Sequence, residues 1–188
     1  MTKGFTLIEL LVAIAVLAVL SAAVVLVLNP AELLKQSRDS TRISDLAAIN
    51  SALALWTADV AGGTWNSTTT CSLASASRPF VALPACQTIV LTAVDGTGWV
   101  NVNLGAITGG SPLSRLPLDP LNSLTACGGT NTGCFYAYRS SSTVGKYKIA
   151  ANMESTKYGS GGSADVESST KDGGNIGDWY EIGSDMSL

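Results

Sequence analysis

The chain contains no histidine, and that absence removes the commonest general base together with the commonest metal ligand. Charge is scarce as well. Asp, Glu, Lys and Arg make up 13% of the 188 residues and the formal net charge is −3, so the chain as a whole offers no electrostatic footprint for nucleic acid, and none is expected to bind the isolated protein. Serine is plentiful, but no G-x-S-x-G elbow accompanies it. Gly159 to Gly162 lacks the lysine and the following helix that a phosphate-cradling loop requires. No enzymatic activity is expected.

What the chain does have is concentrated at its start. Gly4-Phe5-Thr6-Leu7-Ile8-Glu9 leads into an almost unbroken apolar run from Leu10 to Leu28. As a helix at about 1.5 Å per residue, Phe5 to Leu28 reaches roughly 36 Å, enough to cross a hydrocarbon core of roughly 30 Å. Glu9 is the exception in this span, because an ionisable group there is expensive without a partner or a watery interface. Lys3 is six residues away, the wrong spacing for a shared helix face. A cation from another molecule would satisfy it; the alternative is a carboxylate resting at headgroup level.

The short leader Met1 to Gly4, then Phe5 to Glu9 and the apolar run, resembles the class III signal and first helix of type IV pilins and type II secretion pseudopilins. The resemblance implies cleavage after Gly4 by a prepilin peptidase, N-methylation of Phe5, and pairing of Glu9 with the Phe5 amine of a neighbouring subunit. It implies a single-pass protein of the cytoplasmic membrane with its head outside, held in lipid before assembly. An inner-membrane assembly platform would then deliver it to a homo-oligomeric helical filament outside the cell. The expected function is a structural subunit of a type IV pilus-like filament. A pseudopilin shares every one of these features. A monomeric membrane-anchored adhesin or binding module is the alternative of another class, and would need neither Gly4 nor Glu9.

The expected fold is α+β, with a long N-terminal helix, first transmembrane and then amphipathic, packed on a small antiparallel sheet. Residues 1–4 form the leader, 5–29 the transmembrane or filament-core helix, and 30–62 an amphipathic helix. Residues 63–157 form a β-rich head, and 158–188 a partly ordered tail rich in Gly, Ser and Asp. Asn29-Pro30 predicts a break, either ending the first helix or capping a second with Pro30 at its first position. Ile43, Leu46, Ile49, Leu53, Trp56 and Val60 recur at helical spacing as a core stripe. Arg38, Asp39, Arg42 and Asp45 lie off that stripe and read as a solvated face. Gly62-Gly63 should stop the helix.

Thr64 to Pro84 reads as a polar loop, with a sequon at Asn66-Ser67-Thr68. Thr88 to Val94 and Trp99 to Leu104 suggest a hairpin about Asp95-Gly96, followed by a proline-bearing loop, Gly105 to Asp119. A second hairpin joins Cys134–Tyr138 to Lys146–Ala151, with Tyr136 and Tyr138 on one face and Tyr147, Ile149 and Ala151 on another. Leu116-Pro117-Leu118-Asp119-Pro120 resembles the proline- and aspartate-containing loop of pseudopilins. The tyrosine-rich hairpin running to Met153-Glu154 is similar to the terminal sheet of such proteins.

Cys71, Cys86, Cys127 and Cys134 all lie beyond the apolar run, an even count suited to disulfides in an oxidising compartment. Three pairings exist, and the local one, Cys71–Cys86 with Cys127–Cys134, is expected. Their spacing does not supply the tight knuckles of a zinc site. No cofactor is required by this reading. Calcium is a candidate ligand of Asp172, Asn175 and Asp178, three oxygen-bearing side chains in one glycine-rich turn; the major pseudopilins bind calcium near their carboxyl end. Ordinary turn chemistry explains the same residues.

Overall fold

The computed structural model describes residues 4–60, 62–63, 65–73, 86–89, 91–127 and 133–188. The chain divides into two compact units, Met1–Leu34 and Lys35–Leu188. The first is helical. Helix α1 (Leu7–Leu28) ends where Asn29 turns left-handed at φ +40°, a conformation asparagine tolerates better than most residues. Helix α2 (Pro30–Asp59) starts at once, with proline at the position whose missing N–H costs nothing. The Asn29 carbonyl accepts from the amides of Glu32 (3.0 Å) and Leu33 (3.3 Å), so the break is a capped junction.

The second unit holds the sheet. Its strands are β1 (Thr68–Cys71), β2 (Gln87–Thr88), β5 (Tyr136–Ser140), β6 (Tyr147–Ala151) and β7 (Tyr180–Gly183), in the order β2-β1-β5-β6-β7. All neighbours are antiparallel except β2, which runs parallel to β1. A separate pair, β3 (Ser123–Ala126) and β4 (Gly133–Cys134), flanks the second disulfide. Cys71 is bonded to Cys86 and Cys127 to Cys134.

The β5–β6 register sets Tyr136 opposite Ala151, Tyr138 opposite Ile149 and Ser140 opposite Tyr147. Directly opposed residues share a sheet face, so the two apolar sets that the sequence reading assigned to different faces form one. That face packs on Leu46, Ile49, Leu53 and Trp56 of α2, all buried. Trp65 stacks on Tyr147 at 5.7 Å and meets Trp56 edge-on at 5.4 Å. The other face carries Ala137 and Ala150 against Cys71, Phe135 and Trp179.

Two further expectations are corrected. Thr68–Cys71, placed within a polar loop, is a strand paired on both edges, because threonine is β-branched and suits a pleated ladder whatever its polarity. The hairpin of residues 88–104 is reduced to isolated contacts: Trp99 N–H to Leu91 (3.0 Å), Leu104 N–H to Val94 (2.8 Å) and one bridge, Asp95 with Asn103. Trp99 and Val100 are both fully buried, and a strand would send consecutive residues to opposite faces. The tail, expected to be partly ordered, supplies β7 and a short helix α3 (Ser169–Asp172), with Trp179 buried against the sheet. Residues 1–3, and 74–84 of the expected loop, lie outside the described residues.

The fourth correction concerns charge. Arg42, Asp39, Asp119 and Glu154 are buried together. Arg42 donates through Nε and Nη2 to both oxygens of Asp119 (2.6 and 2.9 Å) and through Nη1 to Asp39 (2.7 Å), while Nη2 lies 2.6 Å from Glu154. Arg38 forms a two-point pair with Glu154 at 2.9 and 2.6 Å. Asp39 in turn accepts from the amides of Glu154 (2.9 Å) and Ser155 (2.8 Å), and Asp119 from those of Leu121 and Asn122. Asp45 accepts from the Tyr136 hydroxyl at 2.7 Å. This face of α2 is therefore spent inside the head, where bidentate geometry and saturated oxygens offset the cost of desolvation. Replacing Arg42 with methionine strands two buried carboxylates and should cost about 3–5 kcal/mol. Chemical denaturation of the detergent-solubilised protein, followed by tryptophan fluorescence, measures this; a loss below about 1 kcal/mol, the range of exposed pairs, would contradict it.

Candidate functional site

At the start of α1 the sequence string becomes a geometry. Thr6 is the N-cap, extended at φ −82° and ψ 150°, and its hydroxyl accepts from the Glu9 amide at 3.3 Å. Glu9 reaches back, its Oε2 accepting from the Thr6 amide (2.9 Å) and the Thr6 hydroxyl (2.7 Å). This is a capping box, legible in retrospect as Thr-x-x-Glu before an apolar run. It gives Glu9 a local partner that the sequence reading did not consider. Both bonds use Oε2, and Oε1 accepts none among the described residues. Gly4 and Phe5 precede the cap and are exposed; Lys3 lies outside the described residues.

Beyond the cap, α1 presents apolar side chains on every side. Leu7, Ile8, Leu10, Val12, Ile14 and Leu17 are all more than half exposed. The segment Leu7–Val24 is long and apolar enough to cross a membrane, with Glu9 its only ionisable side chain. A helix that is apolar all round needs lipid or other helices around it.

Residues 1–25 match the family model described as the prokaryotic N-terminal methylation motif. The chain carries the class III signal of type IV pilins and pseudopilins. No curated protein and no solved structure matches the chain. The matched motif lies in the first unit, and the second unit is α+β with its own core.

The remaining predicted ligands are dispersed. Asp172 accepts from the amides of Gly174 (2.8 Å) and Glu181 (2.9 Å), and Asn175 Oδ1 accepts from Lys148 Nζ (2.7 Å). Asp178 is exposed and lines a cleft of ≈ 370 Å³ with Glu167 and Ser160. The oxygens proposed for calcium are thus shared between protein donors and a separate cleft. Ser168 and Lys171 stand at S-x-x-K spacing, and the Ser168 hydroxyl is bonded to the Asp165 carboxylate. Asn66 of the sequon is exposed.

Glu167 is the residue of this region that sequence gave no means to find. It is buried beside the cleft, accepting from the amides of Met153 (2.6 Å) and Ser160 (3.0 Å), and so fastens the 155–168 segment to the end of β6. Burial pushes its carboxyl up to about 7, against the pull of those two amides, and the nearby Asp39 and Asp178 carboxylates add to the rise. The folded state therefore holds a proton that the unfolded chain releases near the ordinary glutamate value of 4.5. Its contribution to stability is full below that value and is lost as pH rises toward about 7. Burial also raises the Glu154 carboxyl, but Arg38 and Arg42 outweigh it and hold the group below its ordinary value, so the opposite loss sets in only under acid conditions. The denaturation midpoint should fall between pH 5 and 7.5, and the fall should be smaller in Glu167→Gln; equal slopes in the two proteins would contradict the assignment.

Proposed function

We propose that this protein is the structural subunit of a type IV pilus-like filament, assembled through α1 after cleavage at Gly4. The observation that carries the reading is the N-terminal methylation motif, at residues 1–25, which takes in most of a helix whose apolar surface is uncovered among the described residues. Cleavage leaves the Phe5 amine, to be methylated, one residue from the Thr6–Glu9 cap. The cap holds the Glu9 carboxylate at the helix start, and among the described residues its Oε1 accepts no bond. In a filament that donor is the Phe5 amine of the next subunit, and the apolar side chains of α1 exchange lipid for neighbouring helices. Electrostatic complementarity then sets the register, since a carboxylate left unpaired in a dry core is penalised.

The partners on this reading are a prepilin peptidase, an inner-membrane assembly platform and further copies of the chain. The subunit resides in the cytoplasmic membrane with its head outside until it is assembled. A secretion pseudopilin uses the same helix chemistry, and the two differ in where the filament ends.

Truncating one partner of a buried charge pair costs about 2–5 kcal/mol, so Glu9→Ala should lower the yield of sheared fibres by at least about tenfold. Its membrane level and its cleavage should match wild type. Normal fibre yield from this variant would sink the pairing.

A further inference from the structure

Lys148, Asn175 and Glu181 meet on the sheet face opposite α2. In the β6–β7 register Glu181 faces Ala150 and Lys148 faces Gly183, so Lys148 and Glu181 are diagonal neighbours on one face. Both are buried, at 0% and 1% exposure. Lys148 Nζ lies 2.6 Å from Glu181 Oε1 and 2.7 Å from Asn175 Oδ1. The segment bearing Asn175 is fixed to the same carboxylate: Glu181 Oε2 accepts from the Ile176 amide at 2.8 Å, and Gly174 leaves space that any Cβ would take from the Glu181 carboxylate. Ile176 and Trp179 pack on the apolar cluster of this face.

A primary amine that touches both a carboxamide oxygen and a carboxylate, with the amine and the carboxylate out of water, brings together the reactants and the proton carrier of an amide-forming reaction. An ion pair would need Lys148 and Glu181 alone. The carboxamide carbonyl held against the same nitrogen, on a segment pinned by the same acid, is the added feature. We propose that Lys148 and Asn175 become joined by an intramolecular isopeptide bond, with Glu181 as the catalytic acid and base.

Glu181 takes a proton from the Lys148 ammonium, and the freed amine attacks Cγ of Asn175 to give a tetrahedral centre. Glu181 returns the proton to Nδ2, the Cγ–Nδ2 bond breaks, and the leaving nitrogen departs as ammonium with the second amine proton, which leaves Glu181 a carboxylate again. One C–N bond forms and one breaks, with no change of oxidation state and no co-reactant. The product links β6 to the segment between α3 and β7, closing a loop across a sequence separation of 27. Like a disulfide, such a link constrains the unfolded chain.

The test is the intact mass of the full-length protein extracted in detergent, followed by tryptic digestion. Compared with the mass of the chain as processed, from Met1 or from methylated Phe5, with two disulfides, the protein should be lighter by one ammonia, and residues 147–157 should appear joined to residues 172–188 in a branched peptide, uncut after Lys148. Asn175→Ala and Glu181→Gln should both keep the sequence mass and yield no branched peptide. A wild-type protein at full sequence mass would overturn the proposal and leave an ion pair. So would an ammonia loss with an unbranched 172–188 peptide, which a cyclic imide at Asn175 would give.

Discussion

A guanidinium sealed from water must find an oxygen for nearly every donor, and the folded head is arranged to provide them to Arg42. Asp119 arrives from the proline-bearing loop, Glu154 from the end of β6, and Asp39 from the preceding turn of α2 itself. Each acid is then saturated by backbone amides or by Arg38. The consequence is register. The apolar stripe of α2 could slide along the tyrosine-lined face of the sheet at modest cost, but Asp119 and Glu154 admit one position of Arg42. Hydroxyls repeat the device further along, Tyr136 on Asp45 and Tyr147 on Asn50.

The first unit obeys the opposite constraint. Nothing covers α1 among the described residues, and its surface carries one charge, Glu9, already folded back into the cap of its own helix. A capped carboxylate at the end of an apolar cylinder is tolerable in a membrane interface, where it meets headgroups and water. Within a bundle of like helices the same carboxylate requires a cation, and on the proposed reading that cation is the Phe5 amine of a neighbouring copy. The chemistry of the motif and the exposure of the helix thus point to the same event, release from lipid into an assembly.

Legibility in the sequence followed the range of the interactions. The Gly4–Glu9 string and the apolar run are contiguous, so they could be read directly, and the Asn29-Pro30 junction follows from two residues. The β5–β6 hairpin was visible because tyrosines and aliphatics alternate on both strands. Arg38, Asp39 and Arg42 looked like a solvated face because their partners lie far along the chain: Asp119 is 77 residues from Arg42, and Glu154 is 116 from Arg38. No local pattern announces such a contact. Thr68–Cys71 was hidden for another reason, since its strand character comes from β-branching and not from apolarity. The partial order expected of the tail is carried by Trp179, Ile182 and the buried Glu181, which hold it on the sheet.

The central claim is that α1 is processed at Gly4 and used to build a fibre, and the intact mass of the protein in material sheared from the cell surface tests it most directly. A species beginning at methylated Phe5 in that fraction is the predicted result. An unprocessed Met1 form in every fraction would contradict the account, and a processed form confined to membranes would contradict the surface fibre and leave the pseudopilin.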